Sequence, residues 1–321
     1  MDVGRSFIEA DPNFREDVLA GLAAAIPAIP ARWLYDRRGS ELFEEITNLP
    51  EYYPTRTEMA LLQRYSRSVA EITGRGDAVI EFGSGSSHKT PILIEAVEPS
   101  AYVPIDISGD FLRESAGLLK QRFPLLPIYP VEADFMKPIA LPDPVAPMTK
   151  LGFFPGSTIG NLVPWTAVDL LRAMRDTLGV GAFLLIGVDR VKDEEMLVRA
   201  YDDAQGVTAG FNLNLLHRIN EELNGTIPVD AFRHKAVWND KMSRIEMHLV
   251  ALEDVEFTVE GRPFAFARDE TIHTENSHKY GIRDSRLLLR AAGWGVAKEW
   301  SDPDDLFAII LAQAEAPRFA P

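Results

Sequence analysis

Short apolar runs recur along the first two thirds of this chain with helical patterns between them, and that alternation restricts the possible folds more than any other feature. The runs are DAVIEF (77–82), AYVPID (101–106), PIYPVEADF (127–135), KLGFFPG (150–156) and AFLLIGVD (182–189), and TAVDLLRAMRDTL (166–178) is one of the intervening helical patterns. Upstream, PTRTEMALLQRYSRSVAEI predicts a helix, with Thr55 and Glu58 at capping-box spacing and Leu61, Tyr65, Val69 and Ile72 on one face. Strand-helix-strand repetition of this kind predicts a parallel, doubly wound α/β sheet.

The rhythm changes near residue 190. EEMLVRAYDDAQGVTAGFNLNLLHRINEEL reads as two helices, and AFRHKAVW, RIEMHLVAL, VEFTVEG and PFAFA alternate as antiparallel strands with one buried face do. A helix, SRLLLRAAG, and two strands, GVAKEW and FAIILAQA, follow. The expected organisation is an α/β domain (56–191 and 280–321) interrupted by an α+β domain (192–279) that residues 1–55 join.

Composition narrows the partners. Forty-eight Asp and Glu against 33 Lys and Arg give a net charge of -15, which opposes nucleic-acid binding, and no basic run offsets it. There is no cysteine, so disulfides, thiolate catalysis and Cys-ligated zinc are excluded. The six histidines show no familiar ligand spacing, and no metal is expected. The acidic start lacks a signal-peptide pattern and Pro27 and Pro30 break the most apolar run, so a cytoplasmic protein with no membrane association is expected.

The stretch VIEFGSGSSHKT (79–90) follows the first strand. It approaches a phosphate-binding P-loop at Gly83, Lys89 and Thr90, and Asp189 ends a later strand as a magnesium-binding Asp would, but His88 occupies the second glycine position. The dinucleotide pattern fails at the same residue. Ligands of open parallel sheets sit beyond the carboxyl ends of the strands, where Glu81, Asp106 and Asp134 stand. Asp106 lies 21 residues after Gly85, a spacing suited to ribose hydroxyls, and Asp134 with Phe135 could take an adenine amino group and stack on its ring. Three carboxylates suit a cationic, phosphate-free nucleoside, and S-adenosylmethionine is one. Gly83 and Gly85 would let backbone approach it, and Lys89 could meet its carboxylate.

Together ELFEEITNLPEYYPTRTE, EFGSGSSHKT, FFPGSTIGNLVP, RAYDDAQGVTAGFNLN and IHTENSHKYG resemble the histidine Nα-methyltransferases of ergothioneine biosynthesis over nearly the whole chain. The resemblance implies a Rossmann-like class I S-adenosylmethionine-dependent methyltransferase sheet with an inserted α+β substrate-binding domain, and trimethylation of L-histidine to hercynine. It implies that Gly83, Gly85, Lys89, Asp106, Asp134 and Phe135 hold S-adenosyl-L-methionine. It further implies that Tyr35, Tyr52, Asn161 and Tyr201 orient the amino acid, with Gly156, Thr158 and Phe211 at the same end. Glu275 and Ser277 would read the imidazole, with Met247 beside it. An N-methyltransferase for another amino acid or small amine is the nearest alternative, and a P-loop nucleotide enzyme a remote one.

Overall fold

The computed structural model describes residues 11–85 and 87–316. In chain order the regular elements begin with α1 (Pro12–Leu22), α2 (Arg37–Thr47), α3 (Tyr53–Thr73), β1 (Ala78–Phe82), α4 (Thr90–Val97), β2 (Ala101–Asp106) and α5 (Gly109–Arg122). There follow β3 (Val131–Glu132), β4 (Lys150–Phe154), α6 (Pro164–Leu178), β5 (Phe183–Asp189), α7 (Glu194–Tyr201) and α8 (Val207–Glu222). The remainder is β6 (Phe232–Asn239), β7 (Arg244–Ala251), β8 (Val255–Val259), β9 (Arg262–Phe266), β10 (Thr271–His278), α9 (Ile282–Ala291), β11 (Trp294–Ser301) and β12 (Phe307–Ala314).

Two compact units result. The larger comprises 52–193, 240–244 and 277–321, and the smaller 1–51, 194–239 and 245–276, with residues 1–10, 86 and 317–321 outside the described set. The larger unit carries a seven-stranded sheet of order β11-β12-β5-β4-β1-β2-β3. Its strands from β3 to β5 pair in parallel, whereas β12 runs antiparallel to both β5 and β11. This is the Rossmann-like methyltransferase sheet that the resemblance implied. Strands such as β5, Phe-Leu-Leu-Ile-Gly-Val-Asp, are apolar on both faces because both are covered. Ile80, Phe82, Val103, Leu184 and Ile186 pack on one side with Leu170, Met174 and Trp294, and Val79, Tyr102, Leu151 and Leu185 on the other with Leu61, Leu62 and Leu93.

The smaller unit holds helices α1, α2, α7 and α8, the antiparallel pair β8-β9, and most of a three-stranded sheet of order β10-β7-β6. Alternating burial along β6 and β8 shows the single covered face that their sequences predicted.

Three expectations change, and one strand was not foreseen. The run at 127–135 yields only the two-residue β3, because Pro127 and Pro130 lack the N–H that a ladder needs; the pairing of Tyr102 with Ile128 survives as an isolated bridge. Helix α3 begins at Tyr53 with Pro54 in its first turn, so Thr55 is inside the helix and caps nothing. Ile72, expected on the packed face, is 43% exposed. The polar stretch TIHTENSH is strand β10, which its composition hid.

Candidate active site

In the larger unit β1 runs into a turn that depends on glycine. Gly83 has φ of +70° and Gly85 of +48°, a backbone region costly for other residues. The N–H groups of Gly83 and Ser84 both donate to Ile105 O, which ties the turn to β2. A Cβ on Gly83 would lie 3.5 Å from the Phe135 ring, which itself meets Phe154 edge-on at 6.0 Å between centroids. Asp106, at the tip of β2, accepts from Gly85 N and from Ser108 N, each at 3.0 Å. It therefore braces both the glycine turn and the entry to α5. Asp134 is exposed and accepts from Met136 N at 2.9 Å.

A carboxylate that sequence reasoning assigned to helix capping organises the other side of this site. Glu58 is completely buried; it accepts from Lys89 Nζ at 2.6 Å and from Gly156 N at 2.8 Å. Gly156 has φ of +82°, and a Cβ there would stand 3.6 Å from Lys89 Nζ and 3.4 Å from Thr158 Oγ1. Thr158 Oγ1 donates to Pro155 O at 3.0 Å. Thr158 opens the single 3-10 turn that ends at Asn161, which is half-buried. Gly187 of β5 must lack a side chain, since a Cβ would strike Glu58 Oε1. Two residues singled out from the sequence for the ligand site, Lys89 and Gly156, thus bond a third, Glu58, that was read only as a helix cap.

Glu81 departs from its expected role as a ligand-facing carboxylate. It is the penultimate residue of β1, 1% exposed, and accepts from Tyr102 OH at 2.6 Å and Thr90 Oγ1 at 2.7 Å. Burial pushes its pKa up to about 7 against the lowering effect of those two hydroxyls. A carboxyl raised from 4.5 stabilises the fold fully below the lower value, and that contribution is lost as pH climbs through about 7. Relative to Glu81→Gln, wild-type stability should fall by about 3 kcal/mol between pH 4.5 and 8, as read by denaturant titrations at each pH. A pH-independent difference between the two proteins would refute this.

Asp189 does not present to solvent as a magnesium ligand. It is fully buried, receives Tyr53 OH at 2.8 Å, and pairs with Lys192 Nζ at 2.5 Å and Lys279 Nζ at 2.8 Å. Burial alone would raise its pKa, but the two ammonium groups outweigh it and hold the carboxyl low. Lys192 is lowered to about 8 by burial. Tyr52 stands just before α3 and is 7% exposed. Ser277, near the end of β10, receives Lys279 Nζ at 2.8 Å.

The smaller unit holds the other candidate residues. Tyr35 and Phe211 meet edge-on at 5.4 Å, and Phe43 joins both rings. Tyr201, at the end of α7, accepts through its carbonyl from His234 Nε2 at 2.8 Å. Asn212 Nδ2 donates to His234 Nδ1 at 2.9 Å, so the imidazole is the Nε2–H tautomer, and burial lowers its pKa. Asn212 Oδ1 accepts from Thr274 Oγ1 at 2.6 Å, and that hydroxyl also contacts Met247 O at 3.0 Å. This chain links the backbone at Tyr201 to that at Met247 through groups to which the sequence reading gave no role. The Met247 side chain lies on the buried face of β7 with Ile245 and Leu249, while Glu246 and His248 point the other way. Glu275 on β10 is 7% exposed. Glu246, His248 and His273 place three potential metal donors within 4.8 Å of one another; His248 stacks on His273 and bonds Glu246 at 3.2 Å.

The chain is 40% identical to the histidine N-alpha-methyltransferase of Mycolicibacterium smegmatis, over 93% of this chain and 94% of that protein. It is 39% identical to the histidine N-alpha-methyltransferase of Mycobacterium tuberculosis, over the same shares. Ergothioneine biosynthesis protein 1 of Neurospora crassa is 28% identical over 89% of this chain, which spans 33% of that longer protein. The family described as histidine-specific methyltransferase, SAM-dependent, matches residues 14–314, and the chain belongs to that family.

Proposed function

We propose that this enzyme transfers methyl groups from S-adenosyl-L-methionine to the α-amino nitrogen of L-histidine, three times in succession, giving hercynine for ergothioneine biosynthesis. The observation that carries this reading is the match of residues 14–314 to the histidine-specific family. The open space where a Cβ on Gly85 would stand and the ring over Gly83 suit an unphosphorylated nucleoside. Asp106 would hold the ribose, Asp134 and Phe135 the adenine, and Lys89 the carboxylate.

The bound donor supplies a methyl group on a sulfonium, a leaving group already activated. The protein has to present a neutral amine in line with it. An α-amino group has a pKa of about 8, so its deprotonation costs little at neutral pH and no strong base is required. Tyr35, Tyr52, Asn161 and Tyr201 would orient the amino acid, with Gly156, Thr158 and Phe211 beside them, while Glu275, Ser277 and Met247 would contact the imidazole. The reaction ends at three methyl groups because the product nitrogen has no lone pair.

A Lewis acid has no role in this displacement, and we read the enzyme as metal-independent. A net charge of -15 favours a small-molecule partner over nucleic acid, and the absence of cysteine suits a cytoplasmic setting. Among the described residues no helix is long and apolar enough to cross a membrane. The test is mass spectrometry after incubation with S-adenosylmethionine and a panel of amino acids, before and after dialysis against a chelator. Trimethylated histidine in both samples is expected; another amino acid as the preferred product would replace histidine in this reading, and loss of product on chelation would point to the Glu246, His248 and His273 trio. Asp106→Ala should weaken cofactor binding by about 1–3 kcal/mol, measured by calorimetry with S-adenosylhomocysteine. Unchanged affinity would remove Asp106 from the ribose.

A further inference from the structure

Three side chains of the smaller unit converge where no contiguous motif could announce them. Glu246 and His248 stand two apart on β7, on the face opposite Met247, and His273 comes from β10, the strand beside β7 in the sheet. Their donor atoms lie within 4.8 Å of one another. A tetrahedral zinc ion with bonds of about 2.0–2.1 Å needs donors about 3.3 Å apart, so side-chain rotation that draws them in by about 1.5 Å at most completes the set.

The surroundings are those of a ligand set. His273 Nε2 lies 3.0 Å from Glu275 O; a carbonyl only accepts, so that nitrogen carries the proton and Nδ1 of the neutral ring carries the lone pair. Asn239 Nδ2 donates to Glu246 Oε1 at 2.9 Å, which orients the carboxylate. A carbonyl behind an imidazole and a donor behind a carboxylate are what a coordinated His and Glu have. The backbone of His273 is itself fixed, its N–H donating to Pro27 O and its carbonyl accepting from Ile29 N, each at 2.9 Å. The side chains of His248 and Glu246 are 16% and 13% exposed, so the cluster opens to solvent.

We propose that Glu246, His248 and His273 bind a borderline divalent transition-metal ion, Zn2+ being the one that fits, with water completing its coordination. Two imidazoles and one carboxylate select such ions over Mg2+ and Ca2+, which take oxygen ligands. On binding, Glu246 exchanges its 3.2 Å contact with His248 for the ion, and His248 coordinates through an unprotonated ring nitrogen. The ion joins β7 to β10 and takes no part in methyl transfer, so the inference is independent of which amine is methylated.

The experiment uses the full chain without an affinity tag, stripped with a chelator, dialysed, and titrated with Zn2+ against a chromogenic chelator in the absence of amino acid. Wild type should bind one Zn2+ per chain, and X-ray absorption of that sample should show two imidazole ligands. His248→Ala and His273→Ala should each weaken binding by about 100-fold or more, and Glu246→Gln and Asn239→Ala by about 10-fold. His217→Ala, which removes an exposed imidazole of α8, should stay within about 2-fold of wild type. Equal affinity in wild type and His248→Ala would mean that the ion is held elsewhere and would overturn the site, as would wild-type binding weaker than about 1 mM. Should a variant lose S-adenosylhomocysteine binding through misfolding, the wild-type absorption spectrum decides: two imidazoles uphold the site, and one or none overturns it.

Discussion

Glu58→Ala should destabilise the protein by about 3–5 kcal/mol and weaken S-adenosylhomocysteine binding about as much as Lys89→Ala does. Glu58 is fully buried, and its removal leaves the largely buried Lys89 ammonium without its 2.6 Å partner. It also strips Gly156 N–H of its acceptor, a further cost of about 1–3 kcal/mol where water cannot enter. The consequence for binding follows from geometry. Glu58 fixes where the Lys89 ammonium stands, and Lys89 is the group proposed to meet the cofactor carboxylate. Glu58→Gln keeps an acceptor for Gly156 and should lose less stability but a comparable share of affinity. Denaturant titration and calorimetry check both effects. A change in Glu58→Ala below about 1 kcal/mol would show that the pair is neutral in net effect, as some buried pairs are.

Glu275→Ala should lower kcat/KM for histidine by about 100-fold or more and reduce its advantage over phenylalanine and tryptophan. A buried carboxyl that accepts an imidazole N–H is left unanswered by an aliphatic or indole side chain, and that penalty rejects competitors as much as the contact attracts histidine. Trimming Met247 to Val in the same variant should favour the larger indole if the methionine borders the ring. The measurement is the ratio of kcat/KM values across substrates. An equal loss for every amino acid would make Glu275 a structural residue, and the imidazole would have to be recognised elsewhere.

The sheet was legible because burial on both faces writes itself as unbroken apolar runs; β1, β2, β4, β5 and β12 all read this way. What failed to show was set by tertiary partners. Glu58 has the spacing of a capping residue, yet Pro54 starts the helix earlier and the carboxylate is used against Lys89 and Gly156. No local pattern distinguishes those two fates. Glu81 was placed correctly near the end of its strand but turned inward, because Tyr102, next door on β2, supplies a hydroxyl that water would otherwise replace. Strand β10 was read as a motif alone, since the polar His273, Glu275, Asn276, Ser277 and His278 outnumber its strand-favouring Thr271, Ile272 and Thr274. Of the candidate binding residues, the glycine turn with Asp106 follows from spacing and strand ends. Tyr35, Tyr201, Glu275 and Ser277 came from family resemblance; Asn212 and Lys279 stand inside the same resembling segments but were given no role, and His234 lies outside them.

The position of β12 bears on how the chain reaches its native state. It lies between β5 and β11, antiparallel to both, yet more than a hundred residues separate it in sequence from β5. Until residues 307–314 have been synthesised, the apolar edge of β5 has no ladder partner on that side, while the intervening smaller unit is made in the meantime. A long-range pairing of this kind closes late and folds slowly. The nascent chain therefore passes through a period in which an unpaired hydrophobic strand edge is open to wrong partners. Chaperone demand during folding should track this one pairing.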